Sequence, residues 1–272
     1  MSDLLLSLKL IEKEAKFYHA INYSDFGEYC KNGAILSRQL LSTSYPKFTK
    51  FFSDRIDIEK GVWGRTFGNL NDIGRYFWSF ENSTPNAYGP ITIVLRKESW
   101  RALRDIAITK RTITSVKNEK ITHENVENIF EEFNGHFRLK SGYTGTEVSS
   151  SNSKIEFDNI AYLLIDPMII NGQSLKQHVS NLIKDTGLLN NGITANQIKE
   201  RSVYNEKQKD RISELIEWSQ ILKGRLIDKN ESLENTLPEN LNDWFHNIDD
   251  WKKGILASWL TYIYNGTISH LE

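Results

Sequence analysis

Cysteine is nearly missing from this chain of 272 residues, and its one thiol, Cys30, has no disulfide partner within the chain. A disulfide-stapled fold and a cysteine-rich metal cluster are excluded on that count. Cys30 falls in a helical pattern, where a buried structural thiol is expected and a catalytic one is disfavoured. Long hydrophobic runs are missing too. The stretch Leu4, Leu5, Leu6, Leu8, Leu10, Ile11 gives way at once to Glu12, Lys13, Glu14 and Lys16 with no small-residue cleavage pattern, so no signal peptide is expected. Nothing approaches the roughly 20 apolar residues that cross a bilayer, which predicts a cytoplasmic protein with no membrane partner. The formal charge is only −1, so composition gives no overall polyanion signal. Three chemical signatures are absent as well: a Gly-rich dinucleotide fingerprint opening a helix, a phosphate loop ending in Gly-Lys-Ser or Gly-Lys-Thr, and a His-Glu-x-x-His zinc pattern. His123, His136, His178, His246 and His270 lack close paired spacing with acids, so no metal is expected.

The small net charge hides an asymmetry. Between Arg96 and Lys120 there are eight Lys and Arg against three Asp and Glu, whereas 228–250 is mostly acidic. The length allows one large domain or one domain with a sizeable extension. Leu4, Leu8 and Ile11 recur at helical spacing and predict a capping helix over residues 1–16. Tyr18 to Ile21 read as a strand, Ser24-Asp25 as the N-cap of a following helix, and Gly33 as its left-handed stop. Ile35-Leu36 resume an extended path. Residues 42–74, aromatic, polar and Gly-rich without a period, predict a long loop system. Arg75 to Phe80 alternates as a strand does, Ile91 to Leu95 is a β-branched strand, and Ser99 to Ile106 is expected to be helical. Thr112 to Val116 read as extended and Thr122 to Phe133 as a helix. Glu147-Val148, Lys154 to Phe157 and Ile160 to Ile165 complete the strands. From Ser174 onward the pattern is almost wholly helical, with Trp218, Trp244, Trp251 and Trp259 as core candidates. The fold class predicted is α+β: a small split β-sheet with peripheral helices, residues 1–170, and a helical C-terminal portion, residues 171–272, packed on it.

Several polar residues stand out. His19 sits mid-strand, where a satisfied core histidine is the bland reading and ligand contact the sharper one. Glu147 leaves the loop Ser141-Gly142-Tyr143-Thr144-Gly145-Thr146 and enters a strand; it is either an exposed loop carboxylate or a catalytic one. Glu156 is a second carboxylate candidate, but its alternation with Ile155 and Phe157 suits the polar face of a strand. Arg38, Arg55 and Arg65 carry forked donors suited to a pyrophosphate, or else are surface ion-pair residues. Arg65 comes first because Gly61, Gly64 and Gly68 flank it and let backbone approach a ligand. Tyr76-Phe77-Trp78-Ser79-Phe80 is either an aromatic core segment or an aromatic wall.

The order Phe17-Tyr18-His19-Ala20-Ile21-Asn22, a helix, Gly33-Ala34-Ile35-Leu36-Ser37-Arg38 and, far downstream, Gly145-Thr146-Glu147-Val148 resembles the ADP-ribosyltransferases, most closely their DarT-like toxin branch. The resemblance covers roughly residues 15–166. Ala20-Ile21 stand where that branch usually shows a hydroxyl residue. What the resemblance implies is NAD as co-substrate, with no metal, and mono-ADP-ribosyl transfer to nucleic acid, RNA or DNA. It implies Glu147 and Arg65 as catalytic residues. His19, Asn22, Ser37, Arg38, Phe77 and Ser79 then hold NAD, and Tyr143 and Thr144, with the basic residues Arg101, Arg104, Lys110 and Arg111, meet the acceptor. Asn86 to Leu95, with Trp100, is similar to a segment of abortive-infection proteins, which implies a toxin or phage-defence effector with an antitoxin or immunity partner. Transfer to a protein target, and a non-catalytic interaction module with the same fold, remain the alternative expectations.

Overall fold

The computed structural model describes residues 2–51, 53–78, 84–110, 120–133, 146–188, 193–202, 204–223 and 233–272. The strands are β1 Phe17–Ile21, β2 Ala34–Leu36, β3 Thr66–Asn69, β4 Ile91–Leu95, β5 Ala107–Thr109, β6 Lys120–Ile121, β7 Glu147–Ser150, β8 Lys154–Glu156, β9 Ile160–Ile165, β10 Ile169–Ile170, β11 Gln173–Ser174 and β12 Ile198–Glu200. Eight of them form one sheet in the order β12-β9-β4-β1-β3-β7-β5-β6, with β2-β8 and β10-β11 as separate ribbons. The α+β class expected from the sequence is the one that forms.

The sheet is split down its middle. β1 pairs with β4 over five rungs, Phe17↔Leu95 to Ile21↔Ile91, but meets β3 at a single rung, Tyr18↔Asn69. On the far side β3 pairs with β7 over four rungs, from Thr66↔Ser150 to Asn69↔Glu147. Two four-stranded halves therefore meet on one row. The β4-β9 half reads as a near-continuous apolar run because both faces are covered: Ile91, Ile93, Val94 and Leu95 are all fully buried.

The helices are α1 Ser2–Glu12, α2 Tyr23–Asn32, α3 Arg38–Ser44, α4 Asp54–Glu59, α5 Ile73–Trp78, α6 Val126–Phe133, α7 Leu175–Asp185, α8 Glu206–Leu222, α9 Asn242–Asn247, α10 Asp250–Ile263 and α11 Ser269–Leu271. α2 stops at Gly33 in the left-handed conformation, φ 60°, as its sequence implies. Its start differs from expectation: Asn22 is the cap residue, and Ser24 and Asp25 lie in the first turn. α1 forms but turns another face inward. Leu6 and Leu10 are buried while Leu4 and Leu8 are exposed, because a leucine run offers more than one apolar stripe and packing chooses between them.

The segment expected to be a loop over 42–74 contains the end of α3, all of α4 and β3, a strand held by partners on both sides rather than by local propensity. The expected strand at Arg75 is helix α5, whose Ile73 and Phe77, four apart, both face the core. Over 99–106 a 3-10 turn at Lys97–Arg101 replaces the expected helix and leads into β5. The extended reading of 112–116 lies outside the described residues. Past Ser174 the chain is not wholly helical, since β12 joins the main sheet in parallel with β9, Ile198↔Leu163 to Glu200↔Ile165. Trp218, Trp244 and Trp259 are buried in the same apolar cluster as Phe17 and Trp100, and the side chain of Trp251 lies outside what the structure describes.

Candidate functional site

β1 carries His19 toward the seam between the half-sheets. Its Nδ1 donates to the carbonyl of Phe67 at 2.6 Å, standing in for the ladder bonds that β1 and β3 do not make there. A carbonyl only accepts, so the neutral ring keeps its proton on Nδ1 and presents Nε2 as an acceptor. That Nε2 is buried with no partner. Desolvation, helped by the nearby Arg38 cation, pulls the imidazole down to about 4, against the stabilising bond from Phe67. His19 is thus a neutral acceptor at physiological pH, with the Tyr29 ring 5.6 Å away.

Asn22 follows at the end of β1. Its backbone carbonyl accepts the first helical bond, from Phe26 N at 2.9 Å, but its side chain makes no cap bond. The carboxamide is fully buried, and neither Nδ2 nor Oδ1 has a partner. An amide so placed costs of order 1–3 kcal/mol per unmet group unless a ligand satisfies it.

Arg38 opens α3, directly after Ser37, whose hydroxyl caps that helix by accepting from Leu40 N at 3.2 Å. The guanidinium is sandwiched between the Phe48 and Phe51 rings, 4.8 Å from each centroid. Nε and Nη2 fork onto Asp54 at 3.0 and 2.9 Å, Nη1 reaches Asp25 at 3.4 Å, and Nη2 also donates to the carbonyl of Thr49. Every donor nitrogen of Arg38 is engaged within the chain. Asp25 is buried and accepts from Thr49 N at 3.0 Å; burial pushes its carboxyl up to about 6 in spite of Arg38. Arg65, at the entry to β3, is engaged in the same way: Nε donates to Ser149 Oγ at 3.1 Å, and the terminal nitrogens hold the side chain and carbonyl of Asp105.

Glu147 is the first residue of β7. It sits opposite Asn69 on one side and Thr109 on the other, so Tyr18, Asn69, Glu147 and Thr109 share the row on which the half-sheets meet. Two adjacent strand spacings put its Cα about 10 Å from that of Tyr18. Glu156, the other carboxylate candidate, is exposed on the β2-β8 ribbon and pairs with Lys154 at 3.1 Å.

The residue that sequence reading passed over is Tyr88. It lies in the turn Asn86 to Gly89, closed by Gly89 N to Asn86 O at 3.2 Å and by Tyr88 N to Asn86 Oδ1 at 3.0 Å. Gly89 adopts φ 132°, and a Cβ there would strike the backbone of Ile21 and Asn22, which seats the turn against the end of β1. Tyr88 leaves 45 % of its surface open to solvent. Its hydroxyl is nevertheless desolvated by surrounding protein and feels the carboxylates of Glu147 and Asp57, which together push it up to about 12. Phe77, the expected aromatic wall, is buried behind it with ring centroids 6.3 Å apart. Within the segment Asn86 to Leu95 that resembles abortive-infection proteins, nothing in the sequence singled this tyrosine out.

The basic residues divide. Lys110 directly follows Thr109, the rung partner of Glu147, whereas Arg101 and Arg104 are exposed near the other end of β7, where the backbone N of Arg104 bonds Asn152 at 2.8 Å and its carbonyl accepts from Ser150 Oγ at 2.9 Å. Ser79, Arg111, Tyr143 and Thr144 lie outside the described residues. Among the described residues no group of three or more His, Cys, Asp or Glu is arranged to hold a metal, and no helix is long and apolar enough to cross a membrane. Sequence reading also missed a buried ionic cluster, in which Arg201 bonds Asp166 at 2.8 Å, Thr92 Oγ1 at 2.9 Å and Asp72.

No family model matches the chain, and no curated protein does. Among solved structures, the chain is similar to DarT of Thermus sp. 2.9 in complex with ADP-ribosylated ssDNA (TM-score 0.47, 10 % identity) and to the same protein in complex with NAD+ (TM-score 0.46, 9 % identity), each over 64 % of this chain and 90 % of the other. It is also similar to Thermosipho africanus DarTG in complex with ADP-ribose, at TM-score 0.43 and 12 % identity, over 64 % of this chain and 47 % of that one.

Proposed function

We propose that the protein is an NAD-dependent mono-ADP-ribosyltransferase that modifies nucleic acid. One observation carries the reading: Glu147 stands on the row where the two half-sheets meet, and the open ring of Tyr88 lies within reach of its charge. The orphaned polar atoms suit NAD. His19 Nε2 accepts from a ribose hydroxyl, and the Asn22 carboxamide offers a donor and an acceptor side by side. Tyr88 rather than Phe77 presents the aromatic face, and an open ring favours a cationic planar group such as nicotinamide. Arg38 and Arg65 are framework for this site, bracing α3 against α2 and β3 against β7.

In the reaction the bond between ribose C1′ and the nicotinamide nitrogen breaks, and its electron pair leaves with nicotinamide. The positive charge that grows on the ribose is stabilised by the fixed Glu147 carboxylate. An acceptor nitrogen or oxygen then bonds C1′ and gives its proton to solvent. Lys110 beside Glu147, with Arg101 and Arg104 further along β7, supports a polyanionic acceptor. A role as a toxin or defence effector, restrained by an antitoxin, follows the sequence resemblance, with residues 1–170 as the catalytic portion.

The test is incubation with labelled NAD and separate pools of RNA, DNA and protein. Label is expected in a nucleic acid pool, with acceptor affinity falling log-linearly with salt and a flatter slope when Arg101, Arg104, Lys110 and Arg111 become Gln. Label in the protein pool alone overturns the nucleic acid reading, and no transfer with no NAD binding overturns the enzyme.

A further inference from the structure

The last stretch of the chain touches the site from behind. α10 does not end cleanly but widens into a single π-turn over Tyr264–Ile268, with Gly266, Thr267 and Ile268 buried. Such turns cost hydrogen-bond geometry and concentrate where function asks for them. Here the turn presses its backbone on Asn22. A Cβ at Gly266 would stand 2.6 Å from Asn22 Nδ2, 2.7 Å from Asn22 Cβ and 2.6 Å from Thr49 Oγ1, so no larger residue fits without moving the carboxamide. The next residue, Thr267, accepts the backbone N–H of Tyr23 through Oγ1 at 3.2 Å, satisfying one of the open donors at the start of α2 that the Asn22 side chain leaves uncapped. Thr49, the other atom group at Gly266, holds Asp25 through its N–H, Arg38 through its carbonyl and Ser24 Oγ at 3.3 Å.

We infer that this C-terminal π-turn, through Gly266 and Thr267, is the positioning element of the Asn22 carboxamide, which makes the end of the chain an integral part of the NAD site. Thr267 takes up the N–H of the first helical residue, Tyr23, one of the open donors of this helix start, while the Asn22 side chain makes neither of the bonds that an N-cap Asn ordinarily accepts from the second or third N–H. Both ends of the carboxamide are left unmet and ready for a ligand, while Gly266 fixes its orientation from one side. The inference rests on the NAD reading proposed above.

A double-mutant cycle in the full chain tests it, using NAD affinity by calorimetry, steady-state kinetics and thermal unfolding. Gly266→Ala is expected to weaken NAD binding by about 10-fold and to raise KM with kcat nearly unchanged, since a displaced carboxamide loses binding and not bond cleavage. In an Asn22→Gly background, which removes both Nδ2 and Cβ and leaves only the Thr49 Oγ1 contact, Gly266→Ala is expected to cost nothing further in affinity and less in melting temperature. Equal losses of affinity in both backgrounds, or no loss in either, overturn the inference. Where Gly266→Ala fails to fold, the pair Thr267→Val and Thr267→Ser decides: Val is expected to weaken NAD binding several-fold, Ser to retain it, and identical behaviour of the two overturns the role of Thr267. A wild-type protein that binds no NAD defeats the functional reading instead. Positioning of Asn22 is then judged by the thermal cycle, where an equal loss with and without the Asn22 side chain overturns it.

Discussion

Replacing Glu147 by Gln isolates charge at nearly constant shape. The side chain belongs to a strand paired on both edges, Asn69 on one side and Thr109 on the other, so its backbone is held by neighbours that the substitution leaves alone. The partly buried setting corresponds to an effective dielectric of about 20, where a unit charge ~4 Å from a developing cation is worth ~4 kcal/mol. Access of water to a half-buried carboxylate trims this to ~3 kcal/mol, and each ~1.4 kcal/mol is tenfold in rate. Turnover is therefore expected to fall by about 100-fold or more, while NAD affinity changes little because the charge matters most in the transition state. The assay is initial-rate release of nicotinamide together with transfer of label from NAD, with melting temperature as the folding control. Glu156→Gln is the internal comparison: exposed, paired with Lys154 on a separate ribbon, it is expected to stay within a few-fold of wild type. A Glu147→Gln protein that keeps wild-type turnover, or an inactive Glu156→Gln, refutes the assignment of the reacting carboxylate.

Tyr88→Ala is expected to raise the KM for NAD by about 10-fold, and Tyr88→Phe to leave it nearly unchanged, because the open ring rather than the desolvated hydroxyl meets the ligand; equal effects of both variants would place the role in the hydroxyl. His19 is held at about 4 in the folded chain against an ordinary 6.5, so the stability that its neutral form contributes is present above pH 6.5 and lost as the pH falls toward 4. The stability gap between wild type and His19→Gln, followed by urea unfolding, is expected to narrow by about 3 kcal/mol across that window, and parallel curves would show that the imidazole takes up its proton as readily in the folded chain as in the unfolded one. Asp25 and Asp166, both raised to about 6 by burial, act with the opposite sign between about 3.8 and 6 and are common to both proteins. Arg201→Met leaves Asp166 and Asp72 facing each other without a cation and is expected to cost about 3–5 kcal/mol at pH 7, less at pH 5 where a carboxyl takes up a proton; a loss under ~1 kcal/mol by denaturant titration would show the cluster to be dispensable.

Local chemistry wrote part of this molecule directly into its residues. The β1 strand, the left-handed stop at Gly33, the apolar β4 strand and the entry of Glu147 into β7 are set by short-range rules of period, capping and turn formation, and each stands where the sequence places it. Strand β3 was not legible, since four residues of mixed character become a strand only when β1 and β7 supply partners from 48 and more positions away. The same holds for the choice of inward face on α1 and for β12, whose partner β9 lies far upstream. His19, Asn22 and Glu147 are recognisable as types, but three properties that matter belong to tertiary contacts. The Phe67 carbonyl fixes the histidine tautomer, Gly266 and Thr267 arrive from the far end of the chain to frame the Asn22 carboxamide, and a turn seated on β1 brings Tyr88 under the influence of the Glu147 charge. Residue type sets what a group is able to do, and only the packing of segments distant in sequence sets its desolvation, its partners and its neighbours in charge, as the ion pairs that Arg38 makes with Asp54 and Arg65 with Asp105 illustrate.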